Sequence, residues 1–242
     1  MVVGDLHGDW GKLNHLINHK QPKTILQVGD FGWWPKLQIS KPVLYGQQKP
    51  WKLKGIKAPN TRIHFCDGNH EDHWDLRGKC PSNINTSVWL YPHVYYMPRS
   101  SILQLNDGRN VLFIGGADSI DKDHRIVGVD WFQEELITQR NVIDCLSHKR
   151  RIHIIISHTC PEEFLIKAAS GSEDKYADPC RKALSTLLEY LKPDLWYFGH
   201  WHRAMTGQYK NTRWQCLDYP GHGGQWWTWL KGECQYYHER ST

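Results

Sequence analysis

The stretch "MVVGDLHGDW" (Met1–Trp10) places Asp5 and His7 two residues apart, just after the apolar pair Val2-Val3. In an extended chain residues i and i+2 share a face, so both side chains project the same way at a strand's end. That geometry suits a metal ion. A lone Asp-x-His also arises by chance, so further ligands must come from elsewhere in the chain. Asp9 reads as the N-cap of a helix carrying Leu13, Leu16 and Ile17.

The pattern recurs. "TILQVGD" (Thr24–Asp30), "TRIHFCDGNHE" (Thr61–Glu71), "RIHIIISH" (Arg151–His158) and "DLWYFGH" (Asp194–His200) each run from apolar residues into a polar ligand type, and "RNVLFIGGA" (Arg109–Ala117) adds a further buried strand. Near-continuous runs such as Ile154-Ile155-Ile156 predict strands buried on both faces. Helical spacing is read over Trp131–Leu146 and Cys180–Leu191. After Ala204 the chain turns strand-rich, with turn signals at Lys210-Asn211 and Lys231-Gly232. Strand and helix alternate first and strands dominate later, so the fold class is α/β, in layers around sheets.

The 242 residues fit one domain (1–242) able to bury a core without disulfides. Lys+Arg 30 against Asp+Glu 25 gives a net charge of +5, too mild for a dedicated nucleic-acid binder but compatible with anionic substrates. The seven cysteines are scattered and form no C-x-x-C, which argues against a disulfide framework or a zinc ribbon. No apolar leader and no membrane-spanning run is read, so the expected location is cytoplasmic. Between Asp30 and Asp67 there is no acidic residue, while six lysines and Arg62 fall there. A basic loop insertion is expected at about 35–60. It is either a solvated loop or a flap that steers an anion.

Ligand-type residues thus gather at strand ends: Asp5, His7, Asp30, Asn69, His70, His158, His200 and His202. In open α/β sheets that edge is where sites assemble. Carboxylate, imidazole and amide oxygen suit a pair of divalent ions, whose four positive charges Asp5 and Asp30 would only half neutralise. The remainder attracts a phosphate oxyanion and acidifies a bound water to a pKa of about 7.

At "GDLHG", "GD" (Gly29-Asp30), "GNHE" (Gly68–Glu71), "SH" (Ser157-His158) and "GHWH" (Gly199–His202) the chain resembles the calcineurin-like metallophosphoesterase superfamily. Each block is weak alone; the ordered set is specific. The resemblance implies a four-layer α/β/β/α sandwich and hydrolysis of phosphate mono- or diesters through a metal-bridging hydroxide. It implies one metal held by Asp5, His7, Asp30 and His202, and another by Asp30, Asn69, His158 and His200. Asp30 would bridge them. His70 would be the catalytic residue that protonates or stabilises the leaving oxygen. Manganese is the first expectation for the ions, then iron or zinc.

"GDFGWWP" departs from the phosphoprotein-phosphatase branch, putting Trp33 and Trp34 where an Asp and a phosphate-clamping Arg would stand. An indole cannot replace a guanidinium fork. Trp34 is therefore read as a stacking surface for substrate or as core, and Arg125 as a substitute clamp. "GGADSIDKDHRIVGVDWFQEE" (Gly115–Glu135) is similar to small metallophosphoesterases of bacteria and phages. The expected partner is a phosphate ester, with nucleotides or nucleic acid included. Alternatives are a nuclease or end-processing enzyme, and a catalytically silent binding module on the same fold. His64, His93, His153 and Cys160 are read as structural.

Overall fold

The computed structural model describes residues 1–35, 55–80, 86–166 and 178–232. Most of the expected basic insertion, including Lys36, Lys41, Lys49, Lys52 and Lys54, lies outside them.

The strands in chain order are β1 (Val2–Val3), β2 (Thr24–Gln27), β3 (Arg62–Phe65), β4 (Val88–Tyr91), β5 (Val94–Tyr96), β6 (Ser101–Gln104), β7 (Asn110–Ile114), β8 (Ile154–Ser157), β9 (Leu195–Phe198), β10 (Met205–Tyr209), β11 (Thr212–Cys216) and β12 (Trp227–Thr228). The helices are α1 (Trp10–Lys20), α2 (His73–Gly78), α3 (Gln139–Leu146) and α4 (Pro179–Leu191). Two six-stranded sheets form, in the orders β12-β1-β2-β3-β5-β4 and β10-β11-β9-β8-β7-β6. Each has four parallel strands at its centre and an antiparallel strand at either edge.

Three apolar layers show how the sheets stack. Alternation along each strand sends successive side chains to opposite faces. Val2, Leu26, Val28, Val111, Phe113, Ile154, Ile156, Leu195 and Tyr197 meet between the sheets. Val3, Ile25, Ile63 and Phe65 pack with Leu13, Leu16 and Ile17 of α1 and Leu76 of α2. Leu112, Ile155, Trp196 and Phe198 pack with Cys145 of α3 and Leu184, Leu187 and Leu188 of α4. The result is the α/β/β/α sandwich. Among the described residues no helix is long and apolar enough to cross a membrane.

Local signals explain the helix ends. The Asp9 carboxylate accepts from Lys12 N–H to start α1, and Asp178 accepts from Cys180 and Arg181 N–H ahead of Pro179 in α4. The predicted helix over Trp131–Leu146 forms only in its second half. The carbonyls of Glu134, Glu135 and Leu136 accept from the Arg99 guanidinium, so they are withdrawn from a helical ladder. The segment makes a short 3₁₀ turn at Gln133–Glu135, and a Thr138/Asn141 capping box opens α3. The strands β4 to β6 were not evident from the sequence pattern. His93 sits with φ 66° in the turn joining β4 and β5, not within a strand. His64 stacks on Tyr95, and His153 Nδ1 accepts from Asn110 N–H, so both are structural. Cys160 is buried, and the six described cysteines are free.

Arg99 is buried, pairs with buried Asp67 at 2.6 Å and ties the Gly115–Leu136 loop to the end of β3. Removing it leaves a carboxylate buried without its cation. Arg99→Ala should cost about 3–5 kcal/mol, read from the denaturant midpoint at constant slope. A loss below about 1 kcal/mol would show that the loop is held by other means.

Candidate metal centre

All eight ligand-type residues follow the C-terminal ends of parallel strands: Asp5 and His7 after β1, Asp30 after β2, Asn69 and His70 after β3, His158 after β8, His200 and His202 after β9. The two sheets bring these ends together. His7 Nε2 lies 3.2 Å from His202 Nε2, and His202 Nε2 lies 3.3 Å from Asp5 Oδ2. His158 Nε2 is 3.4 Å from Asp30 Oδ1, and His7 Nδ1 is 3.8 Å from Asp30 Oδ2. Asn69 Oδ1 faces both His158 Nε2 at 2.9 Å and His200 Nδ1 at 3.1 Å. Asp5–His7–His202 and Asp5–Asp30–His158 are groups compact enough to hold an ion.

The donor set fits cations better than protons. His158 Nδ1–H donates to the Val28 carbonyl at 3.0 Å, which leaves Nε2 as the coordinating atom. Asn69 Nδ2 donates to Ser119 Oγ at 3.0 Å, which turns Oδ1 toward the two rings. Several ligand-type atoms therefore crowd together; a proton on His158 answers its contacts with Asn69 and Asp30, whereas a divalent ion answers more of the cluster.

Backbone strain marks the same place. Nine non-glycine residues among those described have positive φ, and four of them are His7 (46°), Asp30 (50°), His200 (66°) and His202 (49°). Such conformations persist only where the surroundings enforce them. The enforcing bonds run between loops: Leu6 and His7 N–H donate to the Asp30 carbonyl, His70 N–H to Asp30 Oδ1, and His200 N–H to the Asp5 carboxylate. Two motif glycines make room. A Cβ on Gly68 would overlap the Asp30 carboxylate, and one on Gly199 the Asp5 carboxylate.

Burial and charge set the protonation states. Burial lowers the His7 and His200 pKa values and so keeps both rings neutral. Burial also acts downward on His158, but the Asp30 and Asp5 carboxylates outweigh it and hold the ring at about 9. For Asp30 burial acts upward and is overcome by His158, His70 and His7, so its pKa lies well below the usual carboxylate range.

His70 does not join the ligand cluster but its ring lies 5.6 Å from that of His7. Burial, with a contribution from Arg125, takes its pKa down to about 3. Arg125 Nη2 donates to His70 Nε2 at 2.9 Å while pairing with Asp121 at 2.7 Å. Arg125 thus lies beside His70. Trp34 is only 5% exposed and packs near Phe132, so the expected stacking surface is covered. Trp33 is also buried, its Nε1 donating to Asp75.

The sequence reading gave Glu71 no settled role and passed over Ser119 and Tyr219. Glu71 of "GNHE" is buried and accepts the N–H groups of Phe31, Gly32 and Trp33, so it shapes the loop after Asp30. Ser119 orients Asn69. Tyr219 follows β11 and lies 4.6 Å, ring to ring, from His202. The pairing that brings it there, β11 parallel to β9 and ending at the same edge, is seen only in the fold.

The family model for calcineurin-like phosphoesterases matches residues 1–204. The chain belongs to that family. A lariat debranching enzyme of Schizosaccharomyces pombe is 28% identical over 234 residues, covering 85% of this chain and 48% of the relative. The chain thus spans about half the length of that relative. Similar solved structures include GAP50, the anchor in the inner membrane complex of Plasmodium (12% identity, TM-score 0.45, covering 89% of this chain and 69% of that one). A Staphylococcus aureus structure titled as a putative 5'-nucleotidase has 15% identity and a TM-score of 0.42, covering 85% of this chain and 42% of that one. The family is metal-dependent, and the compact ligand groups lie where its five motifs converge.

Because His158 is raised to about 9, its stabilising contribution in the metal-free protein is present below its ordinary pKa of 6.5 and is lost as pH rises through 9. Coordination needs the unprotonated ring. Metal loading near pH 7 should therefore release a proton from His158, and that contribution should fade above about pH 9. Calorimetry in two buffers of different ionisation enthalpy measures this; an equal heat in both at pH 7 would contradict it. Gly199→Ala should displace Asp5 and reduce bound metal with the fold retained, as read by metal analysis and circular dichroism.

Proposed function

We propose that this phosphoesterase hydrolyses phosphate mono- or diesters with two divalent cations, manganese first among the candidates and iron or zinc next. The observation that carries the reading is the buried Asp30 carboxylate, 3.8 Å from His7 and 3.4 Å from His158, with the Asp5–His202 and Asn69–His158–His200 contacts beside it; we assign Asp5, His7 and His202 to one ion, Asn69, His158 and His200 to the other, and Asp30 to both. When bound, such ions would supply Lewis acidity toward phosphate oxygens and an acidified water. The chain's own residues do the rest. His158 is oriented by Val28, Asn69 by Ser119, and Asp5 and Asp30 by backbone N–H groups, so the centre is formed before substrate arrives. In this reading His70 and Arg125 serve the substrate: Arg125, bonded to His70 and paired with Asp121, would offer its guanidinium to the phosphate.

A silent binding module on this fold is disfavoured because the whole ligand set is present together with His70. Similarity to a lariat debranching enzyme favours a second reading, in which the ester is a phosphodiester of nucleic acid. The deciding assay is hydrolysis of a chromogenic phosphomonoester against the matching diester, with Mn, Fe, Zn and Mg compared. Absence of metal-dependent turnover on both would refute the proposal.

Asp30→Asn should lose nearly all activity and most bound metal, because it removes charge from the residue both ions share; wild-type occupancy and turnover would exclude bridging. His70→Ala should keep its metals and lose about 10²–10⁴ in rate, with a smaller defect for activated leaving groups if the ring serves the leaving oxygen. Arg125→Ala should reduce monoester turnover more than diester turnover, since the monoester carries the extra negative charge, and Arg125→Lys should restore it only in part. Equal losses on both esters would remove Arg125 from phosphate recognition.

A further inference from the structure

A loop beyond the family-matched segment forms a wall beside the metal-ligand cluster. It leaves β11 at Leu217 and returns at Gln225, closed by Asp218 N–H donating to the Gln225 carbonyl at 3.0 Å. The Asp218 carboxylate is 3% exposed and collects three donors of the loop: Tyr219 N–H at 2.8 Å, His222 Nδ1 at 3.0 Å and Gly224 N–H at 3.1 Å. The Asp218 carbonyl sits so close to Gly4 that a Cβ there would overlap it. The loop is thereby seated on the segment that carries Asp5 and His7.

What the loop presents is aromatic. The Tyr219 ring is half-buried and lies 4.6 Å from His202 and 6.1 Å from His7. His222 stacks on it at 4.9 Å with the planes 13° apart, and its side chain is 50% exposed. Among the described residues neither Tyr219 nor His222 belongs to an apolar cluster, so core packing does not account for the stack. The result is a rigid aromatic stack in which Tyr219 lies between His202 and His222, and half-exposed His222 is the ring left open to a ligand. Aromatic faces bind flat rings by stacking, largely independent of sequence.

We propose that Tyr219, with His222 stacked on it, is the specificity subsite for the organic group of the ester, and that this group is a nucleobase. The inference rests on the phosphoesterase reading above. It assigns to this loop the recognition that Trp34, buried, cannot supply.

The test uses the full chain loaded with manganese and compares adenosine 5′-monophosphate with ribose 5-phosphate, which lacks the base. kcat/KM is measured for both, and calorimetric titration gives binding whether or not they are hydrolysed. The wild type should favour the nucleotide by about 10-fold, chiefly through KM; Tyr219→Ala should erase that preference and Tyr219→Phe should keep it. A wild type indifferent to the base would overturn the subsite. So would Tyr219→Ala lowering both esters alike with loss of bound metal, which would make Tyr219 a prop for His202. A Tyr219-dependent preference in binding without turnover of either compound would uphold the subsite and refute the phosphoesterase reading.

Discussion

The Asp30 carboxylate is buried where loops from both sheets meet, and the arrangement around it depends on how it is held. Its carbonyl accepts from Leu6 and His7 N–H, which locks the loop after β1 to the loop after β2. Its carboxylate accepts from His70 N–H after β3 and faces His158 after β8. A charge this deep is costly unless positive charge answers it. In the bare chain a protonated His158 does so, and the same space suits a cation. Gly68 is needed because no side chain fits between its backbone and Asp30.

The surrounding loops are held by buried ionic and polar anchors. Glu71 gathers three N–H groups of the Phe31–Trp33 turn, and although burial pushes its pKa well up, those same N–H bonds favour the carboxylate. Asp67, paired with Arg99 and bonded to Tyr96, anchors the start of the Gly68–Glu71 segment. Arg99 in turn draws in the loop that carries Ser119 and Arg125. One chain of contacts thus runs from a buried ion pair to the orientation of Asn69.

The same view explains the departure at "GDFGWWP". Trp33 and Trp34 do not face a substrate; they fill the layer under the Asp30 loop, with Phe132 and Asp75 as neighbours. A guanidinium arrives instead from the far side of the sequence, on the loop after β7. Arg125 meets His70 there while paired with Asp121.

The ligand types, their order and their position at strand ends were legible in the sequence, because strand burial writes apolar runs and each run ends where a ligand begins. The helix over Cys180–Leu191 was equally legible from its leucine spacing. The strands β4 to β6 were not, since they are short and only partly buried, with no sustained alternation. Nor was the break before α3, because the competitor for its carbonyls, Arg99, lies 35 residues or more away in sequence. The sequence by itself determined where the ligand-type side chains fall along the chain. Which of them touch, that Arg125 meets His70, that Trp34 is covered and that Tyr219 flanks His202 were decided only when the two sheets packed. Those contacts join segments far apart in the chain, and no local pattern encodes the distance between them.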